Sequence, residues 1–455
     1  MPLPFFGNSL ALMKRQPGED LFLEWRHKFG SIFTFWLGET PIRGGEPFSG
    51  RHAIESYEKI IRGGILGVLQ TEGDIWRELR RFTLHVFRDF GVGKNLQQER
   101  ILTEIEAMFK QLDTDIKVAT EIEIVQYFER SISSIINALL VGFRFDETKE
   151  AQYHQLNGQL WRFNNRMQNF ATNLFMFKSM PYCRDAFSLV KETHNCFFDF
   201  FDEQIRRHME HLEQFGPEEL DSPPTDFMRA FLREKLKRDR EGEKHNYTFE
   251  QLKATLFDLW ISGQETTTTA LAWGVAYMVH NPDVMEKIHE ELEKQIGKEQ
   301  QICWADRLKL PYTTAAVNEV LRVGNVVAQD FPHRMMRDTR VDKWTLRRGQ
   351  PIVAQISVVL MDPEIFPNPK AFRPERFLDE HGNVRKTDEL IPFALGKRQC
   401  LGESLARMEM FLFFANILNR YKISAGHRMP SLERRMGIPV LCPKFTCRVE
   451  KRCTA

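Results

Sequence analysis

The segment that most restricts the fold of this chain is FALGKRQCLG, residues 393–402. It holds one cysteine, Cys400, between Gly396 and Gly402, and the sequence from residue 402 onward has the apolar spacing of an amphipathic helix. Glycine permits unusual backbone angles and close approach of other groups. The dipole and N–H groups at a helix N-terminus favour the thiolate form of cysteine. The segment therefore predicts a tight loop that presents a thiolate at the start of a helix.

A thiolate in such a loop has three common uses: nucleophile, redox switch or metal ligand. No second cysteine lies near Cys400 in the sequence to form a redox pair, whereas a nucleophilic cysteine can find its base anywhere along the chain. As a metal ligand the cysteine would suit haem, because haem also needs an apolar side chain against its ring and donors for its propionates. Phe393, Arg398 and Cys400 supply all three within eight residues.

Composition excludes several classes of protein. The 455 residues include 63 basic and 62 acidic side chains, a net charge of +1, so neither nucleic acid nor an acidic polymer is expected as a partner. The seven cysteines form no CxxC pair, which is typical of a reducing compartment. The N-terminal segment has no apolar run near the roughly 20 residues that a spanning helix needs, so no membrane anchor is expected in this chain.

Helical periodicity dominates and predicts a mainly α fold of the α+β type, with small β-sheets. Apolar residues recur at helical spacing near 20–28, 74–89, 98–112, 121–142, 152–170, 186–213, 224–238 and from 248 onward. Strand-like segments lie at 31–38, 343–349, 351–359 and 438–449. The proline-rich stretch 362–383 interleaves aromatic residues with its prolines and therefore does not read as a linker. One domain over residues 1–455 is the expectation.

A long helix is predicted to begin at Thr248 and to end at Asn281-Pro282. Its centre contains Gly263, Glu265 and a run of threonines from Thr266, and glycine and threonine are poor helix formers. Two structures fit this pattern: two helices joined by a turn at Gly263, or one helix of about 33 residues distorted to admit a ligand. In the second, a carboxylate and a hydroxyl would meet a ligand in the core.

The F-x-x-G-x-R-x-C-x-G pattern of residues 393–402 resembles the haem-binding signature of the cytochrome P-450 superfamily, the haem-thiolate monooxygenases. Other motifs of that family are matched in the same order by WRELR at 76–80, SGQETT at 262–267, EVLR at 319–322, PH at 332–333 and FRPERF at 372–377. The likeness covers nearly the whole chain. It is closest to the animal microsomal group that oxidises drugs and fatty acids, and HVFRDFGVGKNLQQERIL at 85–102 resembles nematode members.

The resemblance implies the P-450 fold, in which a large helical domain carries a long central helix over the cofactor, heme b (iron protoporphyrin IX). It implies Cys400 as the iron ligand. The other cofactor-binding residues would be Phe393, Gly396, Arg398, Trp76, Arg80 and His333. The oxygen-activation residues would be Gly263, Glu265 and Thr266, and a buried structural triad would join Glu319, Arg322 and Arg376.

The activity implied by the resemblance is insertion of one oxygen atom from O2 into an apolar fatty acid, steroid-like lipid or xenobiotic. Electrons would come from NADPH-cytochrome P-450 reductase, docked on a basic face that includes Arg77, Arg81 and Lys397. The apolar segment 171–183 would form a substrate-access region with peripheral membrane contact. The expected location is the cytoplasmic face of the endoplasmic reticulum membrane, or the cytoplasm because no anchor is present.

Two alternatives remain open at this point. Part of the usual N-terminal sheet and helix region is missing near residues 42–48 by comparison with the family pattern, which suggests a haem-binding but catalytically degenerate member. A cysteine-nucleophile hydrolase is the second alternative, and it predicts activity without haem.

Overall fold

The computed structural model describes residues 11, 15, 18–32, 34–37, 40–43, 49–92, 95–167, 181–215, 223–298, 300–341, 343–435 and 439–452. The chain divides into two compact units, the first taking residues 1–49, 93–131 and 265–455 and the second taking residues 50–92 and 132–264. One domain over the whole chain stays a prediction. The expected access segment at 171–183 and the shortening near 42–48 fall mostly outside the described residues.

Helices form most of the described chain, and each predicted amphipathic run contains a helix, although other helices lie outside those runs. In chain order they are α1 Glu19–Phe29, α2 Glu55–Ile61, α3 Gly67–Gln70, α4 Gly73–Asp89, α5 Asn95–Asp115, α6 Ile124–Val141, α7 Glu150–Met167, α8 Pro181–Phe215, α9 Phe227–Glu241, α10 Phe249–His280, α11 Pro282–Gln295, α12 Pro311–Gly324, α13 Ile356–Leu360 and α14 Glu403–Arg420. Short 3-10 turns occur at Glu147–Lys149, Trp304–Leu308, Pro374–Phe377 and Gly396–Arg398. None of the described helices is both long and apolar enough to cross a membrane.

The strands are short, as predicted. They are β1 Thr34–Leu37, β2 Thr40–Arg43, β3 Gly50–Arg51, β4 His333–Arg334, β5 Thr339–Val341, β6 Trp344–Leu346, β7 Pro351–Ile352, β8 Tyr421–Ala425 and β9 Cys447–Lys451. In the first unit, β1 pairs antiparallel with β2, β2 parallel with β7, and β7 antiparallel with β4. Residue Ile352 is the common partner, opposite both Arg43 and His333.

Two predicted strands are wrong in extent. The run 351–359 is a strand only at Pro351–Ile352 and then becomes helix α13, whose Ile356 and Leu360 pack in one buried cluster with Phe366 and Phe377. A short apolar run carries no periodicity that separates a buried strand from a buried helix, and packing decides between them. Among the described residues of the segment 438–449 and its continuation, Cys447–Lys451 is the strand, paired with β8.

Helix α14 is the core of the first unit, because its residues are buried on nearly all sides. The Phe411 ring meets the Trp304 ring edge to face at a centroid distance of 5.7 Å, and Phe413 meets Phe128 in the same way at 6.2 Å. Since this helix begins just after Cys400, the loop that carries the cysteine is anchored to a deeply buried helix.

The second unit has an aromatic core and a buried ion network. Trp260 of α10 packs on Phe197 of α8 with ring centroids 4.9 Å apart. Arg62 pairs with Glu58 and donates to an Asp258 oxygen at 3.0 Å. A Cβ atom at Gly67 would lie 2.2 Å from the other Asp258 oxygen, so only glycine fits beside this carboxylate.

Helix α10 is continuous from Phe249 to His280, which settles the choice that the sequence left open in favour of one helix. Its start is capped as predicted, with the Gln251 N–H donating to the Thr248 hydroxyl at 3.1 Å. Trp260 and Trp273 are both 0% exposed, so burial on either side of the threonine run stabilises the helix. Tertiary packing here outweighs weak local propensity.

Candidate functional site

The loop before α14 is closed by backbone hydrogen bonds. The Cys400 N–H donates to the Phe393 carbonyl at 3.0 Å, and the Gln399 N–H donates to the Gly396 carbonyl at 3.1 Å. Gly396 has a φ of +83° and Ala394 a φ of +58°, so the chain turns through left-handed backbone twice. Glycine adopts this region without strain, which explains its place in the motif. The result is a rigid turn that leaves Cys400 exposed.

Side chains around the loop are fixed as well. Arg398 is 7% exposed, and its Nε donates to the Ser49 carbonyl at 2.9 Å. The Arg407 guanidinium lies 4.8 Å from the centroid of the Phe393 ring and donates to Glu403 at 2.8 Å. The loop therefore gathers an aromatic ring, a buried cation and an exposed cysteine in one part of the first unit.

Glu319 and its two arginines meet in a buried cluster of that unit. Arg322 donates to both carboxylate oxygens of Glu319, at 2.7 and 2.8 Å, in a bidentate pair. Arg376 donates to the same carboxylate at 3.0 Å, and so does the backbone N–H of Arg373 at 2.9 Å. Glu319 and Arg322 are 0% exposed, so this is not the solvated helix pair that E-x-x-R spacing usually makes.

The remaining guanidinium N–H groups donate hydrogen bonds to backbone carbonyls in and next to the proline-rich stretch 362–383. Arg322 donates to the carbonyls of Leu360 and Pro369, both at 2.8 Å, and Arg376 donates to that of Pro367 at 3.1 Å. Burial lowers the pKa of Arg376, although Glu319 partly offsets this. The cluster thus ties α12 to the segment that leads toward the cysteine loop.

His333 lies in strand β4 and is 2% exposed. Its Nε2 is 3.1 Å from an Asp330 carboxylate oxygen, and the Asp330 backbone N–H donates to Ala354 at 2.9 Å. The carboxylate fixes the orientation of the imidazole ring. No motif of the sequence pointed to Asp330.

Trp76 and Arg80 belong to the second unit, on helix α4. Trp76 is 6% exposed, and the Arg80 guanidinium lies 5.9 Å from the centroid of its ring. The i,i+4 spacing places both on one face of the helix, as predicted. Arg77 and Arg81 are exposed, and Arg77 pairs with Asp74 at 2.6 Å.

The segment that the family resemblance predicts to activate oxygen lies in the middle of α10. Glu265 and Thr266 are partly buried and belong to the first unit, whereas Gly263 belongs to the second. A Cβ atom at Gly263 would lie 2.8 Å from Cδ1 of Ile136 on α6, so the glycine allows close packing of two helices in the second unit. This packing is a structural reason for the glycine that the motif alone does not reveal.

Sequence reasoning missed a buried acid. Glu409 of α14 is 1% exposed, and the Thr267 hydroxyl donates to one of its carboxyl oxygens at 3.3 Å. The sequence does contain a sign of this residue. Residues 408–418, MEMFLFFANIL, form an apolar run in which Glu409 is the one acid. A charged residue type at a core position of a helix marks either a paired ion or a neutral acid.

The chemistry of the donor set fits haem. Within the described ranges, no group of three or more His, Cys, Asp or Glu side chains could hold a metal ion. Cys400 is exposed on a fixed loop, whereas Cys196, Cys303, Cys442 and Cys447 are partly or fully buried. One presented sulfur beside Phe393 and a buried arginine matches the needs of a haem-thiolate centre.

Comparison with known proteins agrees with this chemistry. A family model described as Cytochrome P450 matches residues 1–446. Cytochrome P450 2H2 of Gallus gallus is 32% identical over 438 residues, covering 93% of this chain and 86% of that protein. Cytochrome P450 2C11 of Rattus norvegicus is 32% identical over 443 residues, covering 93% and 85%.

Cytochrome P450 2A6 of Homo sapiens is 30% identical over 468 residues, covering 98% of this chain and 91% of that protein. Matches of this extent confirm the mainly helical fold class with small sheets and the recognition of the family. They also establish the cofactor as haem and the enzyme class as an oxidoreductase that incorporates molecular oxygen. The chain therefore belongs to the cytochrome P450 family and is a haem-dependent monooxygenase.

Proposed function

We propose that this enzyme oxidises an apolar fatty acid, steroid-like lipid or xenobiotic with electrons from NADPH-cytochrome P-450 reductase, at the cytoplasmic face of the endoplasmic reticulum membrane. The observation that carries the proposal is the exposed Cys400 on a closed loop at the start of a buried helix, in a P450 chain. Haem, when bound, supplies the chemistry of dioxygen activation. The protein supplies the ligand, the anchoring groups, the protons and a dry pocket.

In this proposal Cys400 binds iron as a thiolate, favoured by its place at the N-terminus of α14. Phe393 would pack against the haem ring, and Gly396 gives the loop its left-handed turn. Four side chains would donate to the propionates: Arg398, Trp76, Arg80 and His333. The burial of Arg398 and His333 supports these roles, since a fixed donor loses little freedom on binding an anion.

Glu265 and Thr266 would hold and pass the protons that oxygen reduction consumes. They are neighbours on α10 and are only partly buried, as groups that exchange protons with solvent need to be. A threonine at this place favours reductase-fed monooxygenation, because relatives that only isomerise peroxides need no such protons and often lack it.

Turnover with purified protein tests the proposal. With haem, reductase and NADPH, we expect product from at least one member of a panel of fatty acids and xenobiotics, and no turnover with lipid hydroperoxide alone. The carbon monoxide difference spectrum should show the thiolate-ligated form. Turnover with hydroperoxide but none with the reductase would contradict the proposal.

The two alternatives give different outcomes in the same assay. A catalytically degenerate member would take up haem and bind carbon monoxide but oxidise nothing on the panel. A cysteine-nucleophile hydrolase would cleave ester or amide substrates without haem, and Cys400→Ser would abolish that cleavage.

Reductase docking gives a separate prediction. Arg77, Arg81 and Lys397 are exposed, so reversing them with Glu should slow haem reduction by an acidic flavoprotein reductase by about tenfold or more at low salt. The rate should also lose most of its dependence on ionic strength. Stopped-flow reduction at rising salt measures both effects.

A matched control replaces three exposed lysines elsewhere in the described chain, Lys117, Lys370 and Lys386, with Glu, which changes the net charge by the same amount. The control should keep most of the wild-type rate. Equal slowing of both triple variants would show that total charge, and not a docking face, governs reduction.

A further inference from the structure

Glu409 is the buried acid that the proposed mechanism does not use. Its neighbours Met408 and Met410 are buried with it, and the residue is 1% exposed. Thr267 donates to Oε2 at 3.3 Å, whereas Oε1 is buried and finds no hydrogen-bond partner among the described residues. A carboxylate with one oxygen in apolar surroundings is far more costly than a neutral acid.

The contact joins two helices at a place that matters for the reaction. Thr267 follows Thr266 directly, and α14 follows the Cys400 loop directly. Two turns farther along α10, a Cβ atom at Gly274 would lie 3.3 Å from the Phe414 ring of α14, so the helices also pack closely there. The Glu409–Thr267 bond is thus a polar contact within a tight apolar interface.

We propose that Glu409 is a positioning residue that keeps its proton in the folded enzyme and, paired with Thr267, holds the Glu265–Thr266 segment of α10 against the helix that follows Cys400. The importance of that segment rests on the function proposed above. The neutral carboxyl accepts a hydrogen bond without placing a charge in the core, and ionisation would put an unpaired charge between the two helices.

The electrostatic surroundings of Glu409 agree with this role. Burial raises the pKa of Glu409 to about 8, and the hydrogen bond from Thr267 lowers it only partly. In the described chain, no charged side chain on α10, on α14, or on the helices α5, α11 and α12 that pack on α14 shifts the pKa of Glu409. The acid therefore has no counter-charge to stabilise its ionised form.

The sign of the pH dependence follows from the raised pKa. The stability that the neutral carboxyl contributes is complete below the ordinary value of 4.5 and is lost as pH rises through about 8. Across that window, each pH unit should lower the folded-to-unfolded ratio of the wild type about tenfold relative to Glu409→Gln, which cannot ionise.

Infrared spectroscopy of the haem-loaded protein tests the proton directly. The difference spectrum between wild type and Glu409→Gln at pH 7 should contain the C=O stretch of a protonated carboxylic acid, which shifts in D2O and disappears at pH values well above 8. Glu290→Gln, a change at an exposed glutamate of α11, is the control and should remove no such band. Absence of the band from the Glu409→Gln difference would overturn the inference.

Thr267→Val provides a second route if Glu409→Gln yields no folded protein. It leaves the acid in place but removes its hydrogen bond, so the same C=O band should move to higher frequency. Thr267→Ser keeps the hydroxyl and should restore the wild-type position. An unmoved band in Thr267→Val would show that the pair does not form.

The positioning role has its own readout. The fraction of enzyme in the thiolate-ligated carbon monoxide form, followed against pH, should fall in the wild type with a midpoint near 8 and should fall at a clearly higher pH in Glu409→Gln. Identical alkaline profiles would overturn the role. Failure of monooxygenation with an intact carboxylic acid band would instead contradict the proposed function, so the two failures are distinguishable.

Discussion

Replacing Cys400 with serine should abolish the thiolate-ligated carbon monoxide spectrum and reduce monooxygenation to background. A serine hydroxyl does not ionise near neutral pH and gives iron a far weaker ligand than a thiolate. The loop itself should survive, because its closing bonds come from the backbone N–H groups of residues 399 and 400. Haem content, the carbon monoxide spectrum and circular dichroism of the variant measure these three properties separately.

Cys303→Ser is the matched control. Cys303 caps the 3-10 turn Trp304–Leu308 through Asp306, and serine is a good N-cap, so the fold tolerates the exchange. This variant should keep both the spectrum and the activity. If Cys400→Ser kept the full haem content, the thiolate-type carbon monoxide spectrum and the activity, another group would bind the iron and the assignment of the site would fail.

Replacing Glu319 with glutamine should lower the free energy of unfolding of the first unit by about 3–5 kcal/mol. The change leaves Arg322 and Arg376, 0% and 6% exposed, without their counter-charge in the interior. The amide can accept from only part of the donor set that the carboxylate now satisfies. Urea unfolding followed by circular dichroism, together with the urea concentration at which haem is lost, measures the effect.

Glu375→Gln is the control, in the 3-10 turn that carries Arg376. Glu375 pairs with Lys287 at 2.8 Å, with side chains 42% and 54% exposed, and an exposed pair contributes only about 0.2–1 kcal/mol. If Glu319→Gln lowered the free energy of unfolding by only about 0.2–1 kcal/mol, the buried triad would add little to stability.

Local sequence determined the helices of this protein well. The amphipathic runs predict most of the long described helices to within a few residues, because the 3.6-residue period is set by the chain itself, whereas α11 and α12 lie outside those runs. The cysteine loop was also readable, since Gly396 and the spacing to Cys400 are properties of a short segment. The recognition of the family depended on such motifs and their order.

Other features depended on residues that lie far apart in the sequence. The run 351–359 has the pattern of a strand. Part of it is helical because Ile356 and Leu360 pack against residues of the proline-rich stretch 362–383. The burial of Glu319 depends on Arg376, 57 positions away, and was expected only through family resemblance. A local sequence pattern does not indicate which distant residues will be in contact.

The sequence by itself determined most of the long helices, which cysteine lies in a tight loop, and which family shares these motifs, because periodicity and turn chemistry act between near neighbours. The tertiary structure alone decided that α10 is one helix and that Glu409 meets Thr267, 142 positions away, in a buried interface. Burial and the pairing of distant polar groups arise only when separate segments pack together, so their effects on charge and stability appear only in the folded chain.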